Sequence, residues 1–191
     1  DRVILLDNND SAIVYKELDD LNNLVVFYKN DFMEVNYKYD KLKFCEAKFK
    51  KEANFNDFIF VKSVDFTNVE FKSSVNFNNC IFLNNCIFNK TIFNEKYINE
   101  KVFEKANFNG QKLIVEKCAY FPRLDGVVFS PYTKFILKDI NYSKKNCLCG
   151  KNNYKIARIQ AKQTEDNENM SYYYYNERNY TSNFLKSSRY K

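Results

Sequence analysis

At 191 residues the chain is long enough for one or two domains with a substantial core, and 19 Phe and 15 Tyr supply much of its apolar bulk. It holds no His and no Trp, which removes His-based catalysis and imidazole metal ligands, and its three Gly and two Pro are few for a loop-rich fold. The net charge of +6 is uneven: residues 1–40 carry four basic and nine acidic side chains, residues 41–150 eighteen and eleven, and residues 151–191 eight and four. Nearly all the positive charge is Lys, spread singly beside only five Arg, which reads as a solvated surface, so no nucleic-acid partner is expected.

Residues 1–30 read as an N-terminal cap or adjoining element. Ser11 to Asn23 sets Ile13, Leu18 and Leu21 among acids with weak helical spacing, and Leu24 to Tyr28 reads as a buried strand.

From residue 31 to 143 a different rhythm holds. Large apolar centres recur at Tyr37, Phe44, Phe49, Phe55, Phe60, Phe66, Phe71, Phe77, Phe82, Phe88, Phe93, Ile98, Phe103 and Phe108. After a first gap of seven, the gaps alternate five and six as far as Phe93 and are five thereafter. Two residues before a centre sits a smaller side chain, as at Ala47, Ala53, Val64, Val69, Val75, Cys80, Cys86, Thr91 and Ala106. Between the two lies a residue that is usually polar: Lys48, Asn54, Asp65, Glu70, Asn76, Asn107. Small–polar–large is a two-residue alternation, so each unit is a short extended segment with two side chains in and one out, and the polar residues that follow turn a corner. Such a unit cannot bury its inner face alone; stacked coils can. A buried Phe contributes about 1.5–3 kcal/mol, so a ladder of Phe55, Phe60, Phe66, Phe71, Phe77, Phe82, Phe88, Phe93, Phe103 and Phe108 is a sufficient core.

The text ANFNDFIFVKSVDFTNVEFKSSVNF, with the later KANFNGQKL, resembles the pentapeptide-repeat family in its Phe-centred variant with alternating five- and six-residue units, over residues 35–142. The resemblance implies a mainly β fold, a right-handed quadrilateral β-helix with four short faces per coil of 22 residues from Phe44 to Phe93. Past Phe108, Val127-Val128-Phe129, Thr133-Lys134-Phe135 and Ile140-Asn141-Tyr142 keep the pattern. CAYFPRLDG, residues 118–126, does not; its Pro122 and Gly126 suggest a loop leaving the coil, or a simple bulge, which is the preferred reading.

Residues 144–191 change period. Residues 152–165 and 168–188 read as two helices around TEDNEN, an antiparallel hairpin, with Ile156, Ala157, Ile159 and Ala161 on one apolar side and Tyr172, Tyr175, Phe184 and Leu185 on the other. The hairpin is similar to one that follows the repeats in membrane-associated members of the family, where a tyrosine run precedes a Glu; here these are Tyr172 to Tyr175 and Glu177. It implies a membrane tether carried outside these residues. The tyrosine run itself reads as helical packing of amphipathic aromatics. No run of eighteen apolar residues is present to span a membrane, and no signal peptide is read.

Cys45, Cys80, Cys86, Cys118, Cys147 and Cys149 do not space as a disulfide framework. Cys80 and Cys86 fall at small inner positions, and Cys147-Leu148-Cys149 has no second pair nearby, so no metal and no cofactor is expected and a reducing cytoplasm fits. No paired carboxylates, nucleophile–base set or Gly-rich phosphate loop stands out, and Asp65 and Glu70 are read as outward surface residues, so no catalytic residue is assigned and no enzyme is expected.

The informative slots are the outward ones: Asn76 before Phe77, but Ile81, Ile87 and Ile92 before the next three centres. With a 22-residue coil Phe60 and Phe82 share a face, and Phe103, four units on, is expected to join them. Ile59, Ile81 and Val102, with Val61 and Leu83, then form a candidate interaction face for a protein partner, a second copy or the terminal hairpin. The expected function is a non-catalytic scaffold or regulatory module acting through protein–protein contact, in the cytoplasm or tethered at a membrane. The alternative is the sensor domain of a membrane assembly. Topoisomerase inhibition by DNA mimicry, a property of some pentapeptide-repeat proteins, needs an acidic rod, and the +7 of residues 41–150 speaks against it.

Overall fold

The small–outward–large triplets form strands of two to five residues, each parallel to a strand one coil away. In the computed structural model, which describes residues 17–18, 41–60, 62–143 and 146–188, the outcome is a parallel solenoid of about 4 turns followed by two helices. The strands lie in four sheets among the described residues. Phe49 pairs with Phe71, Phe60 with Phe82 and Val64 with Cys86, each an offset of 22 residues.

The alternation of five and six has a backbone cause. Glu46, Asp57, Asn68, Asn79 and Lys90 recur every eleven residues with φ between 53° and 66°. Each stands two residues after an inward Phe, inside a five-residue unit, and the turns at the first four are closed by a bond from the residue after them: Ala47 N–H to Phe44 C=O, Phe58 N–H to Phe55 C=O, Val69 N–H to Phe66 C=O, Cys80 N–H to Phe77 C=O. The left-handed residue lets the chain turn in five; the six-residue units take the alternate corners more widely. Asn and Asp adopt this conformation readily, whereas Glu and Lys pay about 1–2 kcal/mol for it. The corners are also tied coil to coil, as by Asp57 N–H to Asn78 C=O and Asn68 N–H to Asn89 C=O.

Inside, the Phe rings stack in four ladders. Phe44, Phe66 and Phe88 form one, with centroids 5.1 and 4.9 Å apart; Phe49, Phe71 and Phe93 form a second, at 4.9 and 5.2 Å. Phe55, Phe77 and Phe103 stack at 4.8 and 5.0 Å, and Phe60, Phe82 and Phe108 at 4.8 and 4.5 Å. These separations are the strand spacing itself, about 4.8 Å. Neighbouring ladders meet edge to face, as Phe66 does with Phe77 at 74°, so both favoured ring geometries are used. Small inner residues complete the lining. Thr91 Oγ1 donates to Phe66 C=O at 2.8 Å and Thr133 Oγ1 to Phe108 C=O at 2.8 Å, which satisfies buried hydroxyls in place of the Ala and Val methyls used elsewhere.

Two local departures correct the simple repeat. Asn94 caps a short 3-10 turn, Glu95–Tyr97, through its side chain to Lys96 N–H, so ten residues separate Phe93 from Phe103 where six separate Phe71 from Phe77. Ile98 is therefore not a strand centre; it is fully buried within this insertion. Phe77 stacks on Phe103 and Phe82 on Phe108, an offset of 26. In the second departure, CAYFPRLDG stays in the coil as a bulge: Phe121 and Leu124 are buried, and the Phe121 ring lies 5.8 Å from Phe103 as the next rung of that ladder.

At the N-terminal end Glu17–Leu18 is a strand paired parallel with Lys48–Phe49, inside the stretch read from sequence as weakly helical. The rest of residues 1–30, including Leu24 to Tyr28, lies outside the described residues.

At the other end α1 (Cys147–Gln163) and α2 (Asn167–Ser188) form a hairpin-like pair joined by the Arg158–Glu177 ion pair at 2.7 Å. α1 begins five residues earlier than expected, because Cys147, Cys149 and Gly150 are buried packing residues. The pair closes the solenoid. An uncovered last coil would expose a row of unpaired backbone groups. Here side chains meet them: Gln160 Nε2 donates to Ser130 C=O and Thr133 C=O at 3.0 and 2.7 Å. Tyr173 Oη accepts from Leu137 N–H and donates to Phe135 C=O. Asn153 accepts from Leu124 N–H and donates to Pro122 C=O.

Candidate interaction face

Each two-residue strand puts one side chain outward and the strands Lys112–Glu116 and Lys134–Lys138 put three; the parallel register stacks these into columns whose content the sequence offsets decide. Ile59 and Ile81 are adjacent in one column, both half-buried, as expected. Leu83 is 42% exposed two residues along. Val61 lies outside the described residues.

Val102 does not belong to this face. It is 3% exposed, and its carbonyl accepts from Phe77 N–H at 2.8 Å, so it sits over Asn76. The four-residue insertion before Phe103 shifts the register, and the position above Ile81 is Asn107, followed by Val128. The column Ile59–Ile81–Asn107–Val128 is thus interrupted by an amide whose Oδ1 is buried and has no hydrogen-bond partner.

A different column is continuous. Ile87 lies between Asp65 and Ile114, and Ile114 under Ile136. All three Ile are half-buried and stand outside the core cluster. Sequence reasoning singled out Ile87 but missed the other two, because KLIVE and KFILK are continuous apolar runs in which the outward residue is masked by its inward neighbours. The available signal was the run itself: in a strand three successive apolar residues must place one outside. Ile92, 48% exposed, has Glu70 below it and Ala119 above.

The ten Phe of the ladder are all buried. The tyrosine run divides by helical geometry: Tyr172 and Tyr173 bond to the last coil, whereas Tyr174 and Tyr175 are exposed. Asp65 Oδ1 accepts from Thr67 N–H at 2.9 Å, and Glu70 lies 3.9 Å from both Lys48 and Lys72, so these carboxylates serve turns and surface pairs.

The cysteine chemistry is that of buried thiols. Burial pushes the Cys80, Cys118 and Cys149 thiols up to about 12 and Cys86 well above its ordinary value. Cys80 Sγ donates to Phe55 C=O, as Thr91 does to Phe66. Among the described residues no group of three His, Cys, Asp or Glu side chains is placed to hold a metal ion. An indentation beside the insertion, lined by Ser73, Phe93, Tyr97, Ile98 and Val102, has room for about 10 Å³, on the scale of one water. No helix among the described residues is long and apolar enough to cross a membrane.

Compared with protein-family models, curated proteins and solved structures, the chain matches none.

Proposed function

We propose that this chain is a pentapeptide-repeat β-helix, right-handed and quadrilateral in section, that acts as a non-catalytic scaffold or regulatory module through protein–protein contact. The observation that carries this reading is the contrast between inside and outside. The interior is filled by stacked rings, while apolar side chains stand in register on the outside, where a solenoid needs none for its own stability. The short coils, the outward polar slots and the Phe-centred rhythm support the family reading; a crystal structure that showed a left-handed coil or three flat faces would remove it.

Four buried cysteines, Cys80, Cys86, Cys118 and Cys149, whose thiols burial raises strongly, support a reducing compartment. In this reading the module works in the cytoplasm, and any membrane tether is supplied by segments beyond these residues.

The test is affinity capture with the intact chain, followed by cross-linking and mass spectrometry to map the contact. The expected result is a saturable protein partner whose cross-links fall on outer faces of the coil. Failure to capture any partner under conditions where the chain is folded would overturn the scaffold reading.

A further inference from the structure

The Ile87–Ile114–Ile136 column has a defined length. Below it the same column ends at Asp65, which is 8% exposed and turned into its own corner by its bond to Thr67. Above it the helices begin, with Tyr172 Oη accepting from Asp139 N–H at the end of the last strand. Between these polar limits lie three isoleucines on consecutive rungs. The rungs are about 4.8 Å apart, so Ile87 and Ile136 are separated by roughly 10 Å.

The flanks carry charge of mostly one sign. On one side of the column stand Lys112 and Lys134, two residues before Ile114 and Ile136 in their strands. On the other side stand Asn89, Glu116 and Lys138, and at the adjoining corner Lys90, Lys117 and Asp139 are stacked, tied by Lys90 N–H to Glu116 C=O and Lys117 N–H to Lys138 C=O. Lys134 is committed to Asp166 at 3.1 Å. Among the described residues, Lys90, Lys112, Lys117 and Lys138 stand beside the column against Glu116, Asp139 and, at its lower end, Asp65, so the surface around the isoleucines is net positive.

We propose that this column is a docking face for an acidic amphipathic helix of a partner protein, lying along the solenoid axis. The inference rests on the scaffold reading and names the partner's chemistry. Apolar residues at i and i+7 of a helix are about 10.5 Å apart, which matches the rise from Ile87 to Ile136, with i+3 or i+4 meeting Ile114. A strand crossing the face would meet a single isoleucine. A second copy brings the same positive flanks against these and is disfavoured by like charge; Glu and Asp on either side of a helical apolar stripe would meet the lysines instead.

The probe is a helical peptide of about 15 residues with Leu at i, i+4 and i+7 and Glu on both flanks, compared with a twin carrying Lys in place of Glu. Binding to the intact chain is read by fluorescence anisotropy. The acidic peptide is expected to bind, to weaken about tenfold as salt rises from roughly 0.05 to 0.3 M, and to weaken about tenfold in Ile114→Asp, while the Lys twin does not bind. Ile114→Thr keeps a β-branched residue at the position and guards against a folding defect; circular dichroism confirms both variants are folded, and Ile114→Thr should also weaken binding.

An acidic peptide that fails to bind, or binds Ile114→Asp as tightly as the parent, overturns the proposal. So does loss of self-association in Ile114→Asp by sedimentation, which would make a second copy the occupant, or Ile114-dependent binding to anionic vesicles. A captured partner whose cross-links map to the Ile59–Ile81 column or to the hairpin would sink this inference and leave the scaffold reading standing.

Discussion

Phe82 lies flat on Phe108, with ring centroids 4.5 Å apart and planes 3° from parallel, although 26 residues separate them against the 22 that separate Phe60 from Phe82. The stack is set by the rung and not by the count of residues. Parallel pairing fixes the spacing, and the four surplus residues between Phe93 and Phe103 are taken up at a corner, where Asn94 caps a short turn and Ile98 is buried. The inner ladder is therefore the conserved quantity along the solenoid, and the outer columns depend on where the surplus residues fall.

Phe82→Ala should lower stability by about 3–5 kcal/mol, the cost of a large cavity in a close-packed interior. The ring touches Phe60 below, Phe108 above and Phe77 beside it, so neighbours on three sides lose contact. Phe129→Ala, at a half-buried position near the end of the same ladder, should cost clearly less. Urea unfolding of both variants measures the difference, and equal midpoints would contradict a core carried by the central rungs.

Gly110 and Gly126 should separate two reasons for glycine. A Cβ on Gly110 would lie 2.1 Å from the backbone oxygen of Asn84, so Gly110→Ala forces two coils apart and should cost several kcal/mol. At Gly126 the nearest backbone atom would be 4.0 Å away, but φ is +85°, so Gly126→Ala should cost only about 1–2 kcal/mol of backbone strain. Thermal unfolding should rank Gly110→Ala well below Gly126→Ala.

Much of this architecture was legible because the repeat is physical: Phe44 to Phe93 alternate five and six because one corner holds a left-handed residue and the next does not. The same spacing placed the ten Phe inside, and the change of period after residue 143 marked both helices at the C-terminal end. Val102 was misplaced because Ile98 sits five residues from both Phe93 and Phe103 and imitates a repeat unit, whereas Asn94 starts a helical turn there. The Ile114–Ile136 column was hidden for another reason. Outward side chains obey no packing rule of their own, and only the register, reset twice by insertions, decides which of them meet.

Tyr173→Phe should loosen the end of the solenoid without disturbing its middle. Its buried hydroxyl bridges Leu137 N–H at 3.2 Å and Phe135 C=O at 3.1 Å, and removal leaves both without that partner at a cost of about 1–3 kcal/mol. Hydrogen exchange at the Leu137 amide should rise, with little change at Phe82. Tyr175→Phe, 69% exposed on the same helix, should leave both unchanged.

Alkaline pH should destabilise the fold through its thiols. Burial raises Cys80, Cys118 and Cys149 from 9.0 to about 12 in the folded chain. Below pH 9 the thiols are protonated in both states; above it the unfolded chain ionises first, so their contribution is lost as pH climbs from about 9 towards 12. Unfolding midpoints should fall over that window, and the fall should shrink in Cys80→Ala after allowance for its own cavity. Thiol-reactive dyes at pH 8 should label these three positions only after denaturant is added.

Val102→Asp and Ile81→Asp provide the sharpest check on register, because equivalent outward positions would respond alike. Val102 is 3% exposed, so an introduced carboxyl there is desolvated and its pKa rises above the ordinary value near 4. A raised folded pKa gives stability that is present below the unfolded value and lost above it, so the penalty of Val102→Asp should grow between about pH 4 and pH 7. Ile81 is half-exposed between Ile59 and Asn107, and a carboxyl there keeps contact with water. Its penalty should stay within about 1 kcal/mol and change little with pH. Urea unfolding at both pH values decides it: matching pH profiles would return Val102 to the outer face beside Ile81, whereas a penalty that grows with pH for Val102→Asp alone fixes Asn107 above Ile81.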